Sequence, residues 1–372
     1  MRFLTAGESH GEKLVGIVEG IPANLEFDEN YINSELLRRQ KGYGRSKRMS
    51  MESDEIVILS GVNKGITTGN PIAIEINNKG YLRELPEIKR PRPGHGDLAG
   101  ALKYNQSDVR NILERASARE TAMRVAIGSI CKMFLKVFNI GVYSHVIEIG
   151  GIESLVTIYN GATVEKLVHA DESLVRVIDS SIEDKMIEKI GIAKGKGDSL
   201  GGKFELIATN VPIGLGSHIS WNSRLDGKIA QSIMSIPGIK GVELGRGFQS
   251  SKLYGSEFHD EIYFRDGEYT RLSNNAGGVE GGISNGEDIV VRAAMKPIPT
   301  LKKPLRSVNM DTKEVAFAQI ERSDICAVPS ASIVGESMLA ITLTEEFIKK
   351  FGGDSMEEVM ENYKGYYNNI CR

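Results

Sequence analysis

The sequence predicts an α+β protein built on antiparallel sheets. Three observations carry that reading. Runs of β-type residues follow one another through loops and not through regular helices, which disfavours a parallel, alternating fold. One segment, roughly Ala118 to Phe138, is apolar nearly all round at helical spacing, with little polar face after Arg124, and so belongs in the interior. The 372 residues contain neither a Pro/Ser/Gly linker nor a solenoid-type repeat, so one unit over 1–372 is expected.

The elements follow in order. MRFLTAG and KLVGIVEGI read as two short strands around a glycine-bearing turn. Asp28 is placed to cap a helix from Glu29 to Gln40, with Ile32, Leu36 and Leu37 on one face. Lys41-Gly42-Tyr43-Gly44 ends that helix, and Arg45 to Met51 reads as loop. EIVILSGV and PIAIEIN are strands, and the proline-rich KRPRPGHGD is extended loop. LAGALKYN is helical, then comes the buried helix 118–138, with Ser117 and Glu120 spaced for a capping box. A charged amphipathic helix is expected over 172–190. GGKFELIATNV, IKGVELGRGF, EIYF and EDIVVRAAMK read as strands, interrupted by a helix near 222–235. Two helices, 331–350 and 355–369, close the chain.

Composition excludes several classes. With 41% hydrophobic and 26% charged residues, the chain is neither disordered nor collagen-like. No apolar run is long enough to span a membrane, and the polar opening reads as carrying no secretory signal. Three separated cysteines, Cys131, Cys326 and Cys371, read as free thiols of a reducing cytoplasm. No Cys/His spacing points to a metal, so none is expected. The net charge of −3 conceals a +6 stretch from Leu36 to Met51 on a body of −9. The 41 glycines exceed an ordinary share, which points to tight turns or backbone lining a ligand.

Six motifs carry chemistry. GESHG (7–11) and RPGHGD (92–97) each place a histidine between glycines, where a ligand can approach closely and an imidazole can act as acid or base. Either histidine alone is equally at home as a surface turn residue, whereas two such loops in one chain favour a site. His95 has a carboxylate, Asp97, two residues on to orient it or to cap the next helix. The 38–48 stretch is dominated by arginine, whose planar fork suits carboxylate and phosphate. ERASARETA (114–122) opens the buried helix with Arg115 and Arg119, which either bind an anion there or pair with Glu114 and Glu120. NNAGGVEGGISNG (274–286) packs five glycines into 277–286, and the following strand delivers KPIPT (296–300), a lysine and hydroxyl fit for a phosphate. RSD (322–324) alone is weak evidence, since an isolated Arg-x-Asp is usually a surface ion pair. The set points to an enzyme for a multiply anionic small molecule and a phosphate-bearing cofactor.

In this order and nearly end to end, GESHG, RRQKGYGRS, RPGHGD, ERASARETA, SLGG, NNAGGVEGGISNG, KPIPT and RSD resemble the chorismate synthase family. The resemblance implies a β-α-β sandwich, central helices between antiparallel sheets, assembled as a homotetramer. It implies anti-1,4-elimination of phosphate from 5-enolpyruvylshikimate-3-phosphate (EPSP) to give chorismate, the last common step of aromatic amino acid biosynthesis. Reduced FMN is then required without net redox change, with NADPH as its reductant. His10 resembles the histidine assisting the leaving phosphate, and His95 the one protonating reduced flavin. Asp324 resembles the aspartate that works with flavin N5 on the C6 proton. Arg39, Arg45 and Arg48 resemble arginines that hold substrate, with Arg39 and Arg45 also matching NADP positions. Arg115 and Arg322 match positions read as meeting both substrate and flavin. Ala116, Ser117, Gln249, Ser250, Gly286, Lys296, Pro297, Ile298, Pro299 and Thr300 match flavin contacts. Gly96 stands where the family often has Ala, and Ser323 and Ile325 depart from its RHDPC.

Two other readings compete. PIGLGS (212–217) resembles the phosphate loop of GHMP-type small-molecule kinases, although His218 follows where a second Ser belongs. The 38–48 arm also suits an anion- or RNA-binding protein, although Tyr43 is its only aromatic for stacking bases. An acidic body argues against nucleic acid and for a small polyanion.

Overall fold

The computed structural model describes residues 1–45, 53–265 and 267–370. One antiparallel sheet comprises β1 (Arg2–Gly7), β2 (Lys13–Glu19), β3 (Ile56–Ser60) and β4 (Ile72–Asn77) in the order β1-β2-β4-β3. A second comprises β5 (Gly141–Ile149), β6 (Ile152–Glu153), β7 (Gly202–Thr209), β8 (Ile239–Leu244) and β9 (Ile289–Met295) in the order β8-β9-β7-β5-β6, also antiparallel. The protein thus mixes helices with antiparallel sheets, as loop-joined strands require.

Helix α1 (Glu29–Gln40) starts where predicted, because the Asp28 carboxylate accepts the N–H groups of Asn30 and Tyr31. Helices α2 (Asp97–Lys103) and α3 (Arg110–Ala116) follow the His95 loop, and α3 was not resolved from sequence. The predicted helix 118–138 divides into a 3₁₀ turn at Ala118–Glu120 and α4 (Thr121–Val137), which is buried along most of its length. The expected capping box does not form. Ser117 Oγ accepts from Arg119 N, but Glu120 turns to Thr5 and Arg124.

The helix expected at 172–190 is instead α5 (Ser180–Lys196), capped by Asp179. Residues 173–178 before it are turn and irregular chain, in which Arg176 sits at φ +59°, its O accepts the Val146 N–H and its side chain turns inward. Helix α6 (Leu225–Met234) precedes β8, and α7 (Val328–Phe351) and α8 (Met356–Ile370) close the chain.

Helices α4 and α7 cross closely and form the centre of the main core. Helix α4 also rests on β2, where Gly16 lies against Met123, and α7 rests on β7, where Gly335 lies against Phe204 and Leu206. No helix among the described residues is long and apolar enough to cross a membrane. Cys131 and Cys326 are buried free thiols, whereas Cys371 lies outside the described residues.

Candidate active site

A cavity of about 1060 Å³ opens where the β1–β2 turn, the His95 loop, the α3–α4 junction and the segments 295–300 and 319–324 meet. It reaches the top of the roughly 300–1,000 Å³ range of small-molecule pockets, enough for more than one ligand. Eight basic side chains and two carboxylates line it among the described residues.

His10 sits on the β1–β2 turn. The turn needs glycine at position 7, where φ is +104° and a Cβ would meet Lys13 O at 2.3 Å. Asn78 braces it by donating to Glu8 O and Gly11 O. Glu114, on α3, takes the His10 backbone N–H at 2.8 Å, and His10 Nδ1 lies 3.0 Å from both its carboxylate oxygens. Burial would raise the Glu114 carboxyl, but the bonds from His10 and Arg110 hold it below its ordinary value.

His95 is held differently. Its Nδ1 lies 2.5 Å from Oδ1 of Asp97, which is fully buried. Arg92 donates to Asp97 through its backbone N–H, Nε and Nη2, and reaches Thr300 Oγ1 at 2.7 Å. Burial opposes the Asp97 charge, yet His95 and Arg92 hold the carboxyl well below the usual carboxylate range. An ionised acceptor at that distance makes Nδ1 the protonated nitrogen, so exchange with a ligand falls to Nε2.

The arginines form the third group. Arg39 is almost fully buried and donates to Thr121 Oγ1 and Ala118 O. Arg119 donates to Asn78 and Asp54, and Arg39 Nη1 stands 3.8 Å from the same Asp54 oxygen. Burial first, then Arg45 and Arg119, lower Arg39 to about 10 against the pull of Asp54. Arg45 pairs with Asp324 at 2.7 Å. Arg39 Nη1 and Arg45 Nε are buried donors with no hydrogen-bond partner among the described residues. Buried unpaired donors are costly, and in a cavity this basic they suit phosphate or carboxylate oxygens. Ala116, Ser117 and all of 296–300 line the cavity, as does the exposed Arg322. Lys296 donates to Gly94 O, and burial together with nearby Lys240 lowers its amine.

Other predicted residues lie elsewhere. Arg115 spends its guanidinium on Gly7 O, Thr5 O and Thr5 Oγ1, and is not among the lining residues. Gln249 lines a separate cavity of about 290 Å³, and neither Ser250 nor Gly286 lines the main one. Arg48 lies outside the described residues. Glu114 was read from sequence as a partner of Arg115 or Arg119 and not of His10, and Asp54 and Asn78 were not singled out as partners of the arginines. Their contacts span 41 to 104 residues, which no local spacing reveals.

The rival readings fare worse. PIGLGS is a turn, and α6 begins only at Leu225, so no helix N-terminus stands behind it to hold a phosphate. Arg38 and Arg39 point inward, so α1 ends without the exposed basic face an RNA arm needs. Among the described residues, no group of His, Cys, Asp and Glu is arranged to hold a metal.

An α+β scaffold with two carboxylate-held histidines and, among the described residues, arginine donors lacking a hydrogen-bond partner on one cavity defines an enzyme for anionic small molecules. The family model described as chorismate synthase matches residues 1–348. Chorismate synthase of Alkaliphilus metalliredigens (strain QYMF) is 52% identical over 98% of this chain and 99% of its own length. That of Aquifex aeolicus (strain VF5) is 53% identical over 100% and 98%. A solved structure titled "Crystal Structure of Chorismate Synthase" aligns with a TM-score of 0.83 at 47% identity, covering 100% of this chain and 98% of that one. The chain belongs to the chorismate synthase family, and with it to the carbon–oxygen lyases.

Proposed function

We propose that this enzyme converts EPSP to chorismate by anti-1,4-elimination of phosphate, with reduced FMN bound in the same cavity. The observation that carries the proposal is the charge of that cavity, eight cations against two carboxylates among the described residues, with buried Arg39 and Arg45 donors that lack a hydrogen-bond partner among those residues. EPSP brings two carboxylates and a phosphate, and FMN another phosphate. Fixed cations in a partly buried site stabilise such charge far better than water-exposed ones.

The residues fit these ligands. Arg39, Arg45 and Arg322, with Arg48 by resemblance, hold substrate anions. Ala116, Ser117 and Lys296 to Thr300 would hold the flavin. Bound reduced FMN supplies electron density that helps the phosphate leave and is regenerated, so the reaction has no net redox change. His10 donates a proton to the departing phosphate. His95, fixed by Asp97, exchanges its proton at Nε2. Asp324, fixed by Arg45, takes part in removing the C6 proton. In its full form the proposal includes one domain over 1–372, a β-α-β sandwich, a cytoplasmic homotetramer, and NADPH as reductant. The rest of α4 on β2 and of α7 on β7 supports the sandwich.

The test is anaerobic incubation with EPSP and chemically reduced FMN, reading phosphate release. No release would sink the proposal. Repeating it with NADPH as sole reductant decides whether the enzyme reduces its own flavin. His10→Ala and His95→Ala should each lower turnover by roughly 10²-fold or more while leaving circular dichroism unchanged.

A further inference from the structure

Both cavity histidines carry a carboxylate on Nδ1 and an arginine behind that carboxylate. For His95 the carboxylate is two residues away, and for His10 it comes from a different element. The second arrangement has a consequence for the chemistry.

Glu114 is bound from three sides. Its Oε2 accepts the His10 backbone N–H at 2.8 Å, and its Oε1 accepts Arg110 Nη1 at 3.3 Å. Both oxygens therefore act as acceptors toward groups that can only donate, which defines a carboxylate. His10 Nδ1, 3.0 Å from each, must then be the donor. The Glu114 main chain joins in, since Ser9 N donates to Glu114 O at 3.1 Å. Glu114 thus fixes the turn, the ring orientation and the tautomer together, leaving proton exchange with a ligand to Nε2.

We propose that Glu114 is the positioning residue of His10, holding the imidazole with Nδ1–H inward so that proton donation to the leaving phosphate falls to Nε2. The proposal rests on the reading of His10 as that proton donor. Other charged groups around His10 act in both directions. Glu8 lies in its own turn. Lys79 and Tyr81 belong to the segment whose Leu82 N–H meets His10 O. Arg110 stands behind Glu114 and also meets Glu321. Arg39, Arg45, Arg119 and Asp324 line the same cavity. Glu114 makes a carboxylate–imidazole contact with His10.

The test uses the full-length enzyme labelled with ¹⁵N-histidine, whose six imidazoles are few enough to assign with a His10→Gln reference. The ¹⁵N shifts of the neutral His10 ring should place its proton on Nδ1 in the wild type, and Glu114→Gln should weaken that preference because the charged acceptor is lost. The preference should persist in Arg110→Gln, which leaves the Glu114 carboxylate in place. In the anaerobic assay, Glu114→Gln should lower kcat by roughly 10-fold or more with a smaller change in KM. Glu114→Asp should restore part of the tautomer preference and of kcat. An unchanged tautomer preference in Glu114→Gln overturns the proposal. If Glu114→Gln does not fold, Glu114→Asp read in the same way still decides it, since the shorter carboxylate should weaken the preference. Failure of the wild type to release phosphate refutes the functional reading alone, since the ring shifts do not depend on turnover.

Discussion

Arg45 Nη1 lies 2.7 Å from Asp324 Oδ2, tying the loop after α1 to the segment before α7 across the cavity. A backbone bond from Ile325 N to Gly44 O at 2.8 Å runs alongside it. The pair helps fix Asp324, while Arg45 Nε is a buried donor with no hydrogen-bond partner among the described residues. Asp324→Asn should lower kcat by roughly 10²-fold in the anaerobic phosphate assay, because the amide cannot take a proton. Arg45→Lys should chiefly raise KM, since an ammonium lacks the fork that serves Asp324 and a ligand together. Wild-type kcat in Asp324→Asn would remove Asp324 from the chemistry.

Asp97 gives a prediction with a definite sign in pH. Its carboxyl is held well below the usual range when folded, by His95 and Arg92 against the cost of burial. Stability from a depressed carboxyl is fully present above the unfolded value of about 3.9 and is lost as pH falls toward the folded one. Asp97→Asn should lower the urea midpoint at pH 7 and flatten its decline below about pH 4. It should also lower turnover, because His95 loses the acceptor that sets its tautomer. A wild-type slope of midpoint against pH would show that the buried pair adds nothing.

These two sites differ in how far sequence could reach them. His95 and Asp97 are two residues apart, so their partnership was legible. His10 and Glu114 are 104 residues apart and were joined only by the fold. Helix α1 was legible to its ends because Asp28, a local cap, sets its start. The 172–190 helix was displaced because Val175 and Val177 are buried in turn and irregular chain on either side of the left-handed Arg176, before Asp179 begins α5. The arginine arm shows the limit most clearly. Arg38 and Arg39 read as one basic run, yet adjacent helical positions point about 100° apart. Arg38 enters a buried ionic network, and Arg39 enters the cavity.

That network joins α1, α4, β5 and α7. Glu336, fully buried, accepts from Arg38, Lys132, Arg176 and Ser144 Oγ, while Glu35 accepts from Arg38 and Lys132. Asp171 completes it by pairing with Arg38 and Arg176. Burial would raise the Glu336 carboxyl, but the three cations hold it well below the ordinary value. Three carboxylates thus balance three cations. Glu336→Gln keeps the volume but leaves one buried positive charge uncompensated, a cost of about 3–5 kcal/mol. Urea unfolding should show that loss, and a change below about 1 kcal/mol would mean water screens the cluster. Since α1 also carries Arg39, the variant should raise KM as well.

The last prediction concerns how α4 meets α7. A Cβ on Gly128 would lie 2.3 Å from Ser337 Cβ, 2.6 Å from its Cα and 2.9 Å from its carbonyl oxygen. Two of those three atoms are backbone, so no side-chain rotation relieves the clash. Alanine favours a helix over glycine by about 1 kcal/mol, which sets the gain to be overcome. Forcing apart two central helices costs about 1–3 kcal/mol or more. Gly128→Ala should therefore lower the melting temperature. Gly191 and Gly195, on α5, face nothing within 4 Å, so alanine there should raise it through helix propensity alone. Thermal melts of the three variants separate propensity from packing. If Gly128→Ala melts higher, as the α5 variants should, the crossing is looser than these distances require, and α7 is held by its ionic network rather than by close contact.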